Sequence, residues 1–373
     1  MKSLLTICIP TYKRPITLKR CIDSIVEQIE KFSLFEKVNI YVADDASSDG
    51  TGDVLKPYKK LSYFDSVSRE QNLGMNQNIK LMLSDTAQKS IYQLIITDDD
   101  YLQPDILDEI VDFINQQLEA PLPPPVIWTP RYSYTENGDL HCVVCNPFNK
   151  SKVIHPSAIN AGRYMHNGFV LSGLILRADH IDYKFWDQYK RNAYFPMIFV
   201  GDLLFRYGGY YWDKNIVHHT VLNQCNWERW GKNDIVISLR LLSDYLETNG
   251  ILAKKIREIS SSTLFNFFAL KNTYNAINSL LASKKTRGNK KELFEAIDEL
   301  KKAGFLNFNT QRKLVITFLL SYISSTSFIK LAVYIFSFIF STREDKKKKY
   351  KQKKLVYSEN LKFIPITMKI FFR

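Results

Sequence analysis

The stretch Ile91-Tyr-Gln-Leu-Ile-Ile-Thr-Asp-Asp-Asp-Tyr-Leu-Gln-Pro104 decides the fold. Five of the six residues from Ile91 to Ile96 are apolar or aromatic, which predicts a short buried strand. The strand leads directly into three consecutive carboxylates, Asp98, Asp99 and Asp100. Pro104 then stands at the start of a helical pattern, where its missing N–H costs nothing. Ligands of open α/β sheets bind beyond the carboxyl ends of the strands, so the acids lie where a site is expected.

The three adjacent carboxylates allow two interpretations. They repel one another, and a hard divalent cation such as Mg²⁺ relieves that repulsion while keeping positions open for phosphate oxygens. A solvated acidic turn at a helix N-terminus explains the same residues without a ligand, because carboxylates are favourable there. The triplet alone leaves both interpretations open, and we favour the cation site.

The preceding chain alternates between strand and helix patterns. Apolar runs predict strands over Leu4–Pro10, Val38–Ala43 and Leu61–Val67. Helices are predicted between and after them by apolar stripes at Leu18, Cys21, Ile22, Ile25, Val26 and Ile29, over about 76–83, and at Ile106, Leu107, Ile110, Val111, Ile114 and Leu118. The alternation predicts an α/β fold with a doubly wound, mostly parallel sheet, whose polar loops gather on one edge.

The prolines at 121–125 end this alternation and divide a first domain, residues 1–230, into halves 1–120 and 121–230. Two strand patterns, 126–134 and 139–144, predict a hairpin around Glu136-Asn-Gly138. Beyond it the sequence is irregular and aromatic to about Trp230. Cys142-Val-Val-Cys145 has zinc-like spacing but no second pair, so small core residues are the better interpretation.

The C-terminal third differs in character from the rest. A helical extension is predicted over 231–342, with uncharged runs of 16 residues, 314–329, and 12 residues, 331–342, both shorter than the ~20 that span a bilayer. The tail 343–373 has 11 Lys/Arg against 3 Asp/Glu, a net +8 of the chain's +13. These features predict contact with an anionic membrane surface rather than nucleic acid. An all-helical cap followed by a disordered tail is the alternative.

The start of the chain and its cysteines bear on location. No secretory signal is recognisable at Met1-Lys2-Ser3, and five cysteines are an odd number. We therefore expect a cytoplasmic protein that is peripheral on the inner face of the membrane.

Four motifs, in order, resemble the family 2 inverting glycosyltransferases with a GT-A fold. They are Ile7-Cys-Ile-Pro-Thr-Tyr-Lys13, Val42-Ala-Asp-Asp-Ala-Ser-Ser-Asp-Gly-Thr51, Asn72-Leu-Gly74 and Thr97-Asp-Asp-Asp-Tyr-Leu-Gln-Pro104. The resemblance covers about residues 3–225. It implies a nucleotide-sugar donor, for which we expect a UDP-sugar, a divalent Mn²⁺ or Mg²⁺ ion, and inversion at the anomeric carbon.

The resemblance also implies roles for individual residues. Those assigned to donor binding are Pro10, Thr11 and Tyr12 around the nucleoside, Asp45 at the base, Asp98 near the ribose, and Arg69 and Asn72 in the loop after the third strand. Asp99 is the first candidate for the metal ligand and Asp100 the second, since Thr97 replaces the first acid of the family's usual pattern. A solvated surface position is an equal alternative for Arg69.

An inverting reaction needs a base that deprotonates the acceptor hydroxyl. The family's downstream acid matches Asp202 in Val200-Gly-Asp-Leu-Leu-Phe-Arg206, although a helix N-cap is also compatible with an Asp there. Asp179 and Asp213 are the fallback bases. Gly168–Gly173 resembles the acceptor-side loop. Four aromatic side chains either stack on a sugar ring or pack in the core, and core packing is favoured: Trp186, Tyr210, Tyr211 and Trp212. His218 and His219 either contact a metal or a phosphate or form a packed or exposed pair, and the pair is favoured because no acid spacing completes a ligand set.

The whole pattern predicts a glycosyltransferase that acts on a glycan or lipid-linked acceptor in cell-surface polysaccharide synthesis. Two rival functions stay open at this point: a catalytically silent relative that acts as a membrane assembly partner, and a nucleotidyltransferase. The second rival is disfavoured because the loop Thr11-Tyr-Lys-Arg-Pro15 lacks the glycines of a phosphate-binding loop.

Overall fold

The computed structural model describes residues 2–135, 140–144, 148, 150–183 and 192–220, with isolated positions between 244 and 254. For 141–144 only the backbone is described. The helices in these ranges are α1 (Pro15–Lys31), α2 (Thr51–Leu55), α3 (Met75–Thr86), α4 (Leu107–Leu118), α5 (Ala158–Tyr164) and α6 (Pro196–Arg206). The strands are β1 (Ser3–Thr11), β2 (Val38–Asp44), β3 (Phe64–Ser68), β4 (Ser90–Ile95), β5 (Tyr101–Leu102), β6 (Val126–Trp128), β7 (Arg131–Tyr134), β8 (Leu140–Val144), β9 (Lys152–Ile154), β10 (Leu174–Arg177), β11 (Gly209–Tyr211) and β12 (Val217–Thr220).

The larger sheet has eight strands in the order β3-β2-β1-β4-β10-β6-β11-β9. Its first four strands are parallel to one another, as the alternating strand and helix patterns predict. β10 then runs antiparallel to both β4 and β6, and β11 is parallel to β6. The predicted α/β fold with a mostly parallel sheet is confirmed.

Apolar faces of the helices cover the parallel strands. Leu18, Cys21, Ile22, Ile25 and Ile29 of α1 are fully buried, so the helical stripe predicted there is confirmed. β1 is a nearly continuous apolar run, and all of its residues except the half-buried Leu4 are buried. Each fully buried Leu or Ile side chain contributes about 1.5–3 kcal/mol relative to an exposed one.

A smaller sheet has four strands in the order β5-β12-β7-β8. β7 and β8 pair antiparallel, which confirms part of the predicted hairpin. The single strand predicted over 126–134 is wrong, because the chain leaves the large sheet after Trp128 and enters the small sheet at Arg131. Pro130 lies at this break, where its lack of an N–H group prevents continuous strand pairing.

The region expected to be irregular up to Trp230 contains regular elements. α5, α6 and the strands β9 to β12 all lie within it, so this expectation is corrected for the described residues. The strands there have three or four residues each, too few to give a readable alternation. The third predicted strand also begins three residues later than expected, at Phe64.

Several predictions fall outside the described residues. These are the structure of 231–342 apart from the isolated positions, the basic tail 343–373, Trp186 and the side chains of Cys142 and Cys145. The domain boundaries at 120, 230 and 342 also stay predictions. In the part of the chain that the structure describes, no helix has the length and apolar character needed to span a bilayer.

Candidate active site

The carboxyl ends of β1, β2 and β4 meet at one edge of the large sheet. The backbone N–H of Asp45 donates to the carbonyl of Thr11 (3.0 Å), and that of Ile96 donates to the carbonyl of Cys8 (3.1 Å). The acids that follow β2 and β4 are therefore neighbours of the loop that follows β1, as the motif order predicts.

Asp98 is a buried acid of this edge whose carboxylate contacts the end of β1 and the loop that follows it. Its carboxylate accepts hydrogen bonds from the Thr11 hydroxyl (2.6 Å) and from Nη1 of Arg14 (3.2 Å), and only 5% of the residue is exposed. Burial raises the pKa of Asp98 to about 7, against the opposing effects of Arg14 and Thr11. The Asp99 charge adds to the rise.

Arg14 connects two members of the acidic triplet. The same Nη1 atom that reaches Asp98 also donates to Oδ2 of Asp99 at 2.5 Å. Asp99 is the more accessible of the two carboxylates, with 27% of its side chain exposed against 7% for Asp98. The sequence motifs did not single out Arg14, although its position directly before Pro15, the first residue of α1, places it at the sheet edge.

Asp100 faces the small sheet. Its carboxylate accepts hydrogen bonds from Nδ1 of His219 (2.8 Å), from the backbone N–H of Thr220 (3.0 Å) and from the hydroxyl of Thr97 (3.1 Å). Burial raises the pKa of Asp100, but the hydrogen bond and charge of His219, together with hydrogen bonds from Ser172 and Thr220, lower the pKa overall. His219, separated from Asp100 by 119 positions in the sequence, is a contact that no local motif could reveal.

Asp45 holds the loop after β3. Its two carboxylate oxygens accept the backbone N–H groups of Leu73 (2.8 Å) and Gly74 (2.9 Å), and burial raises its pKa. Gly74 has φ +83°, which a residue with a side chain rarely adopts, so glycine suits this turn. Asn72, the first residue of this motif, is exposed beside it.

Arg69 lies against α3. Its Nε donates to Oδ1 of Asn78 (3.2 Å) and its Nη2 to Asp85 (3.0 Å). Only 13% of the Arg69 side chain is exposed, so a freely solvated arginine, one of the two interpretations of the sequence, does not describe it. Pro10 pairs with Ala43 in the sheet, and Tyr12 is half-buried in the loop that follows β1.

Asp202 lies in the interior of α6. The helix begins at Pro196, so the N-cap interpretation of Asp202 is wrong. Its carboxylate accepts a hydrogen bond from Nε of Arg206 (3.0 Å), one helical turn later, and 6% of the residue is exposed. The two fallback bases lie elsewhere: Asp179 pairs with Arg177 and His180, and the exposed Asp213 accepts from the Tyr211 hydroxyl.

Most of the aromatic candidates pack in the core. Trp212 stacks on Phe113 with ring centroids 4.0 Å apart, and Tyr211 is fully buried. His218 is sandwiched between Tyr101 (4.4 Å) and Tyr134 (4.1 Å) in the small sheet. These rings therefore pack against other side chains, as large aromatic residues usually do.

The loop Gly168–Gly173 contributes to this edge through Ser172. Its hydroxyl accepts the backbone N–H of Thr97 (2.9 Å), and Gly173 adopts φ +83° beside it. A Cβ at Gly173 would lie 2.8 Å from the Thr129 hydroxyl oxygen. The loop therefore fixes the backbone from which the acidic triplet begins.

The carboxylates at this edge suit a hard cation that takes one or two ligands from the protein and the rest from substrate phosphates and water. Among the described residues, no three or more His, Cys, Asp or Glu side chains are grouped to enclose a metal ion. Mg²⁺ is usually held by one or two carboxylates together with substrate phosphates and water. Asp99 meets that requirement because its carboxylate is accessible, although the guanidinium of Arg14 pairs with one of its oxygens.

Comparison with known proteins agrees with this geometry. The model of glycosyl transferase family 2 matches residues 6–127. The abequosyltransferase RfbV of Salmonella typhimurium is 24% identical over 272 residues, which are 69% of this chain and 79% of RfbV. The glycosyltransferase GlyA of Streptococcus pneumoniae is 22% identical over 106 residues, 28% of this chain and only 14% of GlyA.

Solved structures also resemble the chain at low identity. S. aureus TarS 1–349 in complex with UDP has a TM-score of 0.47 and 16% identity, covering 86% of this chain and 91% of TarS 1–349. The mannosyltransferase PcManGT from Pyrobaculum calidifontis, in complex with GDP-Man and Mn²⁺, has a TM-score of 0.44 and 11% identity, with 90% and 87% covered. The family match includes all four motifs and, together with the relatives, supports a glycosyltransferase whose residues 6–127 resemble the glycosyl transferase family 2 domain.

Proposed function

We propose that this glycosyltransferase transfers a sugar, with inversion, from a UDP-sugar to a glycan or lipid-linked acceptor in cell-surface polysaccharide synthesis. The observation that supports it most is the meeting of Thr11, Arg14, Asp98 and Asp99 at one sheet edge, within the residues that match the family. Positive and negative side chains there can bind a sugar diphosphate and its counter-ion together.

The donor's nucleoside would lie against Pro10, Thr11 and Tyr12. Each carboxylate oxygen of Asp45 accepts one backbone N–H of the loop, from Leu73 or from Gly74. Each carboxylate oxygen has a further lone pair, so Asp45 can still accept a hydrogen bond from a base. Asp98 would accept from the ribose, and the loop that contains Arg69 and Asn72 would close one side of this pocket.

We assign Asp99 as the first ligand of a Mn²⁺ or Mg²⁺ ion and Asp100 as the second candidate. Asp99 is favoured by its exposure, whereas the Asp100 carboxylate is engaged by His219, Thr97 and the N–H of Thr220. When bound, such an ion neutralises charge on the diphosphate leaving group. The residues of this chain would orient that diphosphate through Arg14 and the loop after β1.

Asp202 is assigned as the base that takes the proton of the acceptor hydroxyl on a carboxylate oxygen. Its hydrogen bond to Arg206 fixes the side chain on α6, and its low exposure keeps water away from it. A single displacement at the anomeric carbon needs one such base on the acceptor side. The rigid helix gives this carboxylate a defined direction.

The test measures hydrolysis and transfer by the full chain with a panel of nucleotide-sugars and Mn²⁺. We expect Asp99→Asn to lose the metal-dependent activity and Asp202→Asn to lose at least about a hundredfold in transfer, while Asp202→Asn still binds UDP as the wild type does. Asp112→Asn, at an exposed acid within α4, serves as the matched control. No turnover with any donor would contradict the enzyme and favour the silent assembly partner.

A further inference from the structure

Arg14 lies between two carboxylates of the acidic triplet. One nitrogen, Nη1, lies between Oδ1 of Asp98 (3.2 Å) and Oδ2 of Asp99 (2.5 Å). Two neighbouring carboxylates with a positive group between them form the arrangement that a small cation would otherwise complete. The side chain of Arg14 therefore performs, within the chain itself, the neutralisation expected of a bound ion.

We propose that Arg14 is a built-in counter-ion of the Asp98–Asp99 pair, which a divalent cation displaces from Asp99 when a nucleoside diphosphate binds with it. The inference rests on the metal-dependent donor binding proposed above. Arg14 is here a positioning residue: it keeps the two carboxylates together until the ligands arrive, and then turns toward the diphosphate.

The structure gives Arg14 a fixed backbone and a side chain that can move. Its carbonyl accepts the N–H of Leu18 (3.0 Å) in the first turn of α1, and Pro15 fixes the start of that helix. The side chain is 33% exposed, so a path into solvent is open. The release of Asp99 that we propose is a change of the Arg14 rotamer, with the backbone of the sheet edge kept in place.

The charges explain why cation and diphosphate should bind together. When both acids are ionised, Asp98 and Asp99 carry two negative charges and Arg14 one positive charge. A divalent cation alone must separate Arg14 from Asp99 and leaves the guanidinium beside a second positive group, which is unfavourable. A diphosphate supplies new negative charge, and its oxygens match the planar fork of an arginine. Each ligand should therefore strengthen the binding of the other.

The experiment measures free Mn²⁺ by electron paramagnetic resonance in titrations of the full chain, with and without UDP. For the wild type we expect UDP to tighten Mn²⁺ binding at least about tenfold, within the usual range of coupling between sites. In Arg14→Met, Mn²⁺ alone should bind about threefold or more tighter than to the wild type, and the tightening by UDP should fall below about threefold. Lys19→Met is the matched control, because it removes a positive charge from α1 that pairs with Asp23 and touches neither acid.

Arg14→Lys provides the test if Arg14→Met does not fold, as judged by its thermal unfolding. Lysine keeps the charge but lacks the planar fork of arginine. The factor by which UDP tightens Mn²⁺ binding should therefore be at least about twofold smaller than in the wild type. Arg14→Met with the Mn²⁺ affinity of Lys19→Met, or Arg14→Lys with the full effect of UDP, would overturn the role of Arg14 and leave the proposed function in place. A wild type that binds no Mn²⁺ even with UDP would overturn the metal dependence and this inference together.

Discussion

Asp98 accepts hydrogen bonds from Thr11 and Arg14 while almost no water reaches it. Because burial raises its pKa from the ordinary 3.8 to about 7, the folded protein holds the Asp98 proton more tightly than the unfolded chain. The resulting stabilisation is complete below the unfolded pKa and is lost as the pH rises toward about 7. The ligand-free protein should thus lose stability across this range.

Asp98→Asn should remove that loss, because asparagine does not ionise. The unfolding free energy of the mutant relative to that of the wild type should therefore be about 2–3 kcal/mol higher at pH 8 than at pH 5, since a pKa unit is worth about 1.36 kcal/mol. Urea unfolding at the two pH values measures the difference. Asp53→Asn is the control, because the pKa of that exposed acid is lowered by Lys56 and it stays ionised throughout. An equal offset at both pH values would refute the prediction.

Sequence motifs identify the acids of the site better than the groups that hold them. Asp45, Asp98 and Asp99 directly follow strand patterns. They are recognisable because ligands of open α/β sheets bind beyond the carboxyl ends of the strands. Arg14 and His219 do not stand out, since an arginine in a loop and a histidine in a strand fit many roles. Their partners lie 84 and 119 positions away, and only the folded sheet brings them together.

At the scale of elements, Gln28 joins two helices. Its Oε1 accepts the backbone N–H groups of Ile106 (2.8 Å) and Leu107 (2.9 Å) at the start of α4, which has no side-chain N-cap of its own. Its amide donates to the carbonyls of Ser24 (2.9 Å) and Gln103 (3.0 Å). A buried glutamine on α1 therefore caps the helix that follows the acidic triplet.

Gln28→Ala should lower the free energy of unfolding by about 2–4 kcal/mol, because it leaves buried N–H and C=O groups without partners. Chemical denaturation of the full chain measures this loss. Gln116→Ala, at an exposed position of α4, removes the same side chain and should change stability by less than about 0.5 kcal/mol. Similar losses in both variants would show that Gln28 has no special role.

Elements were predictable where the pattern was long. The nine residues of β1 and the 17 of α1 carry clear apolar periodicity, and both were located within a few positions. β10 and β11 have four and three residues and owe their place to pairing with distant strands. Such pairing leaves no local signal, which explains why the chain beyond the predicted hairpin looked irregular in the sequence.

At the scale of the whole molecule, charge is distributed unevenly. Residues 343–373 carry a net +8, whereas the other 342 residues carry +5. An anionic leaflet attracts such a segment by about 1 kcal/mol for each lysine or arginine near the surface. The lipid-linked acceptor proposed above would also lie at that surface, so we expect the tail to keep the protein at the membrane that carries the acceptor.

Changing Lys346, Lys347, Lys348 and Lys349 to glutamine in the full chain should weaken binding to vesicles that contain anionic lipid by at least about tenfold. The loss should shrink as salt is raised, because screening shortens the reach of these charges. Co-sedimentation with anionic and with purely zwitterionic vesicles measures it. The matched control changes four exposed lysines of the first domain, Lys37, Lys56, Lys59 and Lys60. If that variant loses as much binding as the tail variant, net charge rather than the tail brings the protein to the membrane.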